Sequence, residues 1–253
     1  MLIDSHAHIS GETLYLQAEE LIARAQALGV KAIVNICTDQ LSAERGLELA
    51  KRYEGIYNVG ATTPHDVEEL GEQDFVFFEK LAEDKKLVAI GETGLDYHYE
   101  HSAKPLQQQY LIRYFELATR LNLPIVVHCR EAFEDLFALA KDYYRDRPLL
   151  LHCFTGSKEE AKRALDLGWK ISFSGIVTFK KSQSLQDVAR FVPLEAMLIE
   201  TDSPYLAPQS KRGQVNEPSF LVETAQYLAE LKEVPFNTFA SICTQNTLAF
   251  FSI

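Results

Sequence analysis

The stretch Leu2-Ile3-Asp4-Ser5-His6-Ala7-His8 contains the first predicted strand and the residues that follow it. An open, doubly wound sheet usually carries a glycine-rich phosphate-binding turn directly after its first strand. Here the predicted strand Leu2–Asp4 leads instead into the pair His6 and His8. The sequence at this point therefore disfavours the open sheet and favours a closed β/α barrel, in which polar residues at the carboxyl ends of the strands share one face.

Short apolar runs alternate with amphipathic segments along the rest of the chain. The predicted strands are Leu2–Asp4, Lys31–Ile36, Ile56–Gly60, Leu87–Ile90, Ile125–His128, Leu149–His152, Ile171–Phe173 and Met197–Glu200. The segments with helical spacing are Ala18–Leu28, Ala43–Arg52, Gln107–Leu121, Phe133–Tyr144, Glu159–Leu167, Phe220–Leu231 and Pro235–Phe250. Eight strands alternating with helices indicate parallel β-α units, and eight such units close into a barrel over about 250 residues. We therefore predict α/β architecture, with residues 1–253 forming a single (β/α)8 TIM-type barrel domain that carries an extra C-terminal helix.

The composition is typical of a soluble protein with a sizeable core, since apolar residues make up 47% of the 253 positions. The first residues lack the features of a signal peptide, and no apolar run approaches the roughly 20 residues that span a bilayer. The four cysteines form no C-x-x-C pair and fit a reducing compartment. We therefore expect a cytoplasmic protein with no membrane association and no obligate protein partner. The net charge of −11 argues against non-specific binding of nucleic acid by the whole surface, but it allows a local basic patch.

Histidines and carboxylates recur at the carboxyl ends of the predicted strands. These residues are His6, His8, Glu92, His128, His152 and Asp202. In a β/α barrel the carboxyl ends of all strands lie on one face, so residues that are distant in sequence converge there. His6 and His8 are two residues apart in an extended segment, so both imidazoles point to the same side and can hold one ion. Cys129 and Cys153 each follow a strand histidine, and strand alternation should turn their thiols toward the helices.

A lone histidine that ends an apolar run, such as His128 or His152, can simply be a core residue with a backbone hydrogen bond. Two of them on adjacent strands, together with a His-x-His motif, favour a metal site. Imidazole and carboxylate ligands suit zinc, manganese or another first-row ion. The six side chains exceed what one tetrahedral ion requires, so we predict two divalent ions (Zn, Mn or Mg) with Glu92 as a bridge. Asp202 is predicted to bind an ion and to accept the proton of the attacking water, with a turn residue as the alternative.

Six segments carry these residues in a recognisable order. They are Ile3-Asp4-Ser5-His6-Ala7-His8, Ile90-Gly91-Glu92-Thr93-Gly94-Leu95-Asp96-Tyr97, Pro124-Ile125-Val126-Val127-His128-Cys129-Arg130, Leu151-His152-Cys153-Phe154-Thr155-Gly156, Glu200-Thr201-Asp202-Ser203-Pro204-Tyr205-Leu206, and Lys211-Arg212-Gly213 followed by Asn216-Glu217-Pro218. Together they resemble the TatD-type metal-dependent DNases of the metallo-dependent hydrolase superfamily. The resemblance implies a barrel fold, divalent metals and hydrolysis of phosphodiesters, with the six histidines and carboxylates above as ligands. The wider superfamily often bridges its metals with a modified lysine on the fourth strand, whereas this chain has Glu92, which favours the TatD-like branch.

The resemblance also indicates residues that contact substrate. The family tends to carry a Gly-x-His-Pro-His segment after its third strand, where this chain has Thr63-Pro64-His65. His65 is therefore either a contact to substrate phosphate or an ordinary loop histidine. Arg130 and Arg212 are predicted to contact phosphates that flank the scissile one in DNA. Further candidates at this face, each with solvated charge or wall packing as its alternative, are Lys180, Lys181, Lys211, Tyr97, Phe154 and Tyr205.

These observations predict a divalent-metal-dependent hydrolase with Asp202 and Glu92 as catalytic residues. The most specific form of this prediction is a DNase that cleaves phosphodiester bonds with metal-activated water. The alternative is a barrel hydrolase that uses the same ions on a small amide, ester or lactone. A barrel that only binds a metal or a partner is a third possibility, and the complete ligand set disfavours it.

Overall fold

The computed structural model describes all of residues 1–253 and contains one eight-stranded parallel sheet. Its strands are β1 (Leu2–Ala7), β2 (Val30–Cys37), β3 (Ile56–Gly60), β4 (Ala89–Asp96), β5 (Ile125–Arg130), β6 (Leu149–Leu151), β7 (Lys170–Phe173) and β8 (Met197–Ile199). Each strand pairs in parallel with the next one. The first and last strands meet beyond β8, where Asp202 N–H donates to His6 O at 2.9 Å and His8 N–H donates to Ser203 O at 2.8 Å. The sheet is thus a nearly closed barrel, which confirms the predicted fold class.

Helices alternate with the strands and two more follow the last strand. They are α1 (Ala18–Ala27), α2 (Gln40–Arg52), α3 (Gly71–Glu83), α4 (Lys104–Leu121), α5 (Phe133–Tyr143), α6 (Lys158–Asp166), α7 (Gln183–Phe191), α8 (Leu221–Leu231) and α9 (Phe236–Phe251). Helix α9 packs at the amino ends of β1 and β8, because Thr244 Oγ1 donates to Met1 O at 2.9 Å and Asn246 Nδ2 donates to Met197 O at 2.8 Å. No helix combines the length and the apolar character needed to cross a membrane.

The sheet divides the apolar core into two parts. The larger part fills the space between strands and helices, where Ile33 and Cys37 of β2 point. The smaller part includes the alternating residues Val34 and Ile36, which point into the barrel, and it is completed by Phe250 of α9. These apolar side chains fill the barrel interior toward the amino ends of the strands. The polar side chains converge at the opposite, carboxyl end of the strands.

All eight predicted strands are present, but their ends differ from the sequence prediction. The fourth was predicted to end at Ile90, whereas β4 continues to Asp96, so Glu92 lies within a strand. The sixth and eighth were predicted to include His152 and Glu200, whereas β6 ends at Leu151 and β8 at Ile199. The ligand candidates of these two strands therefore lie in the loops that follow them. Helices α3 and α7 were not predicted.

Candidate metal centre

Glu92 lies at the middle of the converging side chains. Its Oε1 is 2.8 Å from His152 Nε2 and 3.1 Å from His128 Nδ1. Its Oε2 is 3.4 Å from His6 Nε2 and 3.7 Å from His8 Nε2. Each carboxylate oxygen therefore faces a different pair of imidazoles, one pair from β1 and its loop, the other from β5 and the loop after β6.

Asp202 completes the β1 side of the centre. Its Oδ1 is 3.5 Å from His8 Nε2 and 3.7 Å from His6 Nε2, and the residue is 8% exposed. Its carbonyl also accepts a hydrogen bond from Tyr205 N–H at 2.9 Å. The backbone of Asp202 thus forms a turn, while its side chain faces the first imidazole pair. The turn interpretation of Asp202 concerns its backbone and the ligand interpretation concerns its carboxylate, so the two are compatible.

Glycine is required where β4 passes β5 beside the centre. Gly94 has a φ of 147°, and a Cβ added there would lie 1.9 Å from the carbonyl oxygen of His128. Gly94 and His128 are register partners in the sheet. Only a residue without a side chain allows this approach, which brings Glu92 and His128 within contact distance.

The donor set fits divalent cations. No lysine, arginine or backbone N–H contacts the carboxylates of Glu92 or Asp202, whose neighbours are imidazoles. Burial alone would raise the pKa of Glu92, but His152 and His128 hold it well below its ordinary value. Burial would likewise lower the pKa of His152, which Glu92 and Glu200 raise well above its ordinary value. Buried carboxylates and imidazoles in such groups suit first-row divalent ions, which balance the negative charge.

A buried aspartate links the strand that carries His6 to the loop that carries Asp202. Asp4 accepts from Thr201 Oγ1 at 2.6 Å, from Thr201 N–H at 2.9 Å and from His6 N–H at 3.3 Å. Burial raises the pKa of Asp4 to about 8, although the hydrogen bonds from Thr201 lower it. Asp4 thereby joins β1 to the loop after β8.

Two more buried carboxylates contact the outer nitrogens of the second imidazole pair. Asp96 Oδ2 is 2.9 Å from His128 Nε2, and Glu200 Oε1 is 3.4 Å from His152 Nδ1. Sequence reasoning included both residues in the motifs but assigned a role to neither. The available signal was spacing, because Asp96 lies four residues after Glu92 in an extended segment and so shares its side of the strand.

The predicted substrate-binding residues His65, Arg130 and Arg212 lie after β3, at the end of β5 and after β8, respectively. His65 is half-buried beside the second imidazole pair, with its ring centroid 5.5 Å from that of His128. The Arg130 guanidinium lies over the ring of Tyr99, 4.7 Å from its centroid. Arg212 is exposed, and its guanidinium lies 5.1 Å from the ring centroid of Phe179. Tyr99 is itself 53% exposed and was not singled out from the sequence.

The aromatic candidates for base stacking separate into buried and accessible rings. Tyr97 donates from its hydroxyl to Asp135 Oδ2 at 2.6 Å and packs against the core, and Phe154 is 2% exposed. Both rings therefore pack in the wall of the barrel and are not accessible for base stacking. Tyr205 is 60% exposed and meets His8 edge-on at a centroid distance of 5.9 Å, so its ring is accessible beside the centre.

The expected direction of the Cys153 thiol was based on strand alternation, which does not apply at this position. Strand β6 ends at Leu151, and Cys153 has a φ of 42°. Its Sγ lies 3.1 Å from Ser174 Oγ. Burial and the neighbouring carboxylates of Asp202 and Glu200 raise the pKa of this thiol well above its ordinary value. Cys153 stays outside the proposed ligand set because it belongs to none of the groups of histidine and carboxylate ligand atoms that lie within 4.8 Å of one another.

Comparisons of this chain with a family model, with related sequences and with solved structures agree on one family. A family model described as "TatD related DNase" matches residues 3–252. The chain is 39% identical over 254 residues to the uncharacterized metal-dependent hydrolase YabD of Bacillus subtilis (strain 168), with 100% of both proteins covered. It is 38% identical over 262 residues to the uncharacterized metal-dependent hydrolase YcfH of Escherichia coli (strain K12), covering 100% of this chain and 96% of YcfH. The solved structure of the TatD homolog YJJV from Escherichia coli K12 matches with a TM-score of 0.94 and 29% identity, covering 100% of this chain and 98% of that one. The chain belongs to the TatD family of metal-dependent hydrolases.

Proposed function

We propose that this hydrolase is a DNase that cleaves phosphodiester bonds at a centre of two divalent ions. The observation that carries the proposal is the position of Glu92, whose two oxygens face separate imidazole pairs. A carboxylate in this position can bridge two ions about 3.5–4 Å apart, the separation found in two-metal nucleases and phosphatases. The ligands would be His6, His8, Glu92 and Asp202 for one ion, and Glu92, His128 and His152 for the other.

The chain's own residues supply proton transfer and orientation. Bound cations would lower the pKa of water and offset negative charge on the reacting phosphate. Asp202 reaches the first imidazole pair with one oxygen, and the imidazoles of His8 and His6 hold its pKa below its ordinary value although burial raises it. The carboxylate is therefore ionised and can accept the proton of the attacking water. His65, whose ring lies 5.5 Å from that of His128, would contact an oxygen of the substrate phosphate.

The distribution of ion pairs supports a polyanionic substrate. The arginines that pair with a carboxylate all lie on helices: Arg24, Arg52, Arg113, Arg120, Arg163 and Arg190. Arg130 is the last residue of β5 and Arg212 lies in the loop after β8, and each stacks on an aromatic ring without an ion pair to a carboxylate. In a chain with net charge −11, unpaired guanidinium groups at this face favour phosphate as the partner.

The proposal is tested by comparing substrate classes on one metal-loaded sample. Protein reconstituted with Mn2+, Mg2+ or Zn2+ is assayed on single-stranded DNA and on a panel of small esters, amides and lactones, with a chelator control. We expect chelator-sensitive cleavage of DNA that exceeds the turnover of every small substrate. Turnover confined to a small ester, amide or lactone would instead establish the alternative class of metal-dependent hydrolase.

Arg212→Ala is expected to weaken cleavage of DNA while sparing chemistry on a minimal phosphodiester. A contact to a flanking phosphate helps only substrates that are long enough to reach it. Losing one charge-assisted hydrogen bond should lower kcat/KM for an oligonucleotide about tenfold, and the salt slope should fall by about 1. The measurement is kcat/KM for an oligonucleotide and for a small phosphodiester at two salt concentrations.

Arg190→Ala, which removes a helix arginine paired with Asp187, is the matched control and should change neither substrate. Equal losses on both substrates in Arg212→Ala would mean that Arg212 acts on the reacting phosphate itself. No loss on either would mean that Arg212 is ordinary solvated charge.

A further inference from the structure

We propose that Asp96 is a positioning residue that fixes the tautomer of His128 and thereby keeps one nitrogen of that ring available to the second ion. The inference rests on the two-ion centre proposed above. Asp96 is fully buried at the end of β4. Its Oδ2 lies 2.9 Å from His128 Nε2, while its Oδ1 accepts from His98 N–H at 3.0 Å and from Tyr99 N–H at 2.8 Å.

The protonation of His128 follows from the chemistry of its partner. An ionised carboxylate only accepts hydrogen bonds, so His128 Nε2 must carry the hydrogen in this contact. Asp96 Oδ1 already accepts from the backbone N–H groups of His98 and Tyr99, and this geometry fits a carboxylate that presents Oδ2 to His128 as a second acceptor. In a neutral imidazole the lone pair is then on Nδ1, which lies 3.1 Å from Glu92 Oε1 inside the centre. Asp96 thus selects the nitrogen that can bind a metal.

A third ion is the competing explanation for this cluster. Ligand atoms of His65, Asp96 and His128 lie within 4.8 Å of one another. An ion among them would require His128 to give Nε2 to that ion and Nδ1 to the second ion of the centre, which a neutral imidazole cannot do. The hydrogen bond needs only a neutral ring and agrees with the 2.9 Å contact. We therefore favour the hydrogen bond.

The substitution Asp96→Asn tests the proposal because it inverts the hydrogen bond without changing the shape. The two backbone donors of His98 and Tyr99 hold the amide oxygen in the place of Oδ1, so the Asn NH2 group faces His128. His128 Nε2 must then accept, and its hydrogen moves to Nδ1, where it blocks the ion. We expect one of two Zn2+ sites to bind about 10–100-fold more weakly while the other is unchanged.

Two further variants, Asp96→Ala and Asp135→Asn, are titrated with Zn2+ in the same way as Asp96→Asn. Alanine places no donor against His128, so His128 can still adopt the metal-binding tautomer and the loss of Zn2+ affinity should be smaller than in Asp96→Asn. A purely structural role for Asp96 predicts the opposite order. Asp135 is a half-buried carboxylate hydrogen-bonded to Tyr97, and Asp135→Asn should leave both Zn2+ affinities at the wild-type values.

The tautomer itself can be read by NMR of 15N-histidine-labelled, zinc-loaded protein. Wild type should show His128 with its hydrogen on Nε2, and Asp96→Asn should show the hydrogen on Nδ1. If wild type and Asp96→Asn both bind two zinc ions with the same affinities, the role proposed for Asp96 is wrong, while the two-ion centre is unaffected. Three zinc ions in wild type would establish the third site instead. A single ion in wild type would contradict the two-ion centre itself, and with it the role of Asp96.

Discussion

Asp202→Asn is expected to lower kcat on single-stranded DNA at least about a hundredfold, the usual contribution of a general base. Asparagine keeps the shape of the side chain and one oxygen that can contact an ion, but it loses the charge and the basicity that proton transfer requires. The backbone contacts of Asp202 to His6 and Tyr205 do not involve the side chain, so the closure of the barrel should be preserved.

The experiment requires kcat, metal content and thermal unfolding on the same preparations. Asp187→Asn, an exposed position on α7, is the matched control and should match wild type in all three measurements. Loss of kcat with retained metal and an unchanged melting temperature supports proton transfer by Asp202. Near-normal turnover in Asp202→Asn would place the base elsewhere.

Glu92→Gln should have an even larger effect, because it alters the side chain whose two oxygens each face a different imidazole pair. The glutamine oxygen can serve one pair, but its NH2 group cannot bind a cation on the other side. We expect the metal content to fall from two ions to one per chain. Since the two ions act together on the reacting phosphate, kcat on DNA should fall by about 10³ or more, equivalent to about 4 kcal/mol of transition-state stabilisation.

Metal analysis after dialysis, combined with turnover at saturating metal, measures both effects of Glu92→Gln. Glu131→Gln is the matched control, since Glu131 is an exposed carboxylate that pairs with His98 at the rim. It should retain two ions and wild-type kcat. Two ions bound in Glu92→Gln with normal affinity would show that Glu92 does not bridge them.

The alternation of strands and helices could be predicted from the sequence, because the strands of a parallel barrel are buried and therefore consist of apolar runs. His128 and His152 stood out for the same reason, each as a polar residue after a run of aliphatic ones. The fourth strand was read too short because Glu92, Gly94 and Asp96 lack the apolar pattern of a strand. Their burial depends on neighbours from other strands.

The partners of the ligands could not be predicted, because they depend on how strands are staggered across the sheet. Asp96 reaches His128 only because Gly94 is paired with His128 in the β4–β5 register. Glu200 reaches His152 only because the loops after β6 and β8 converge. A sequence shows which side of a strand a residue occupies, but not which residue lies opposite on the next strand.

Crystals of the chain grown with Mn2+ would test the central claim most directly, through an anomalous difference map at the carboxyl end of the barrel. The two-ion proposal predicts two peaks about 3.5–4 Å apart. One peak should lie among His6, His8 and Asp202, the other between His128 and His152, and each should contact a different oxygen of Glu92. A single peak, or two peaks of which one does not touch Glu92, would contradict it.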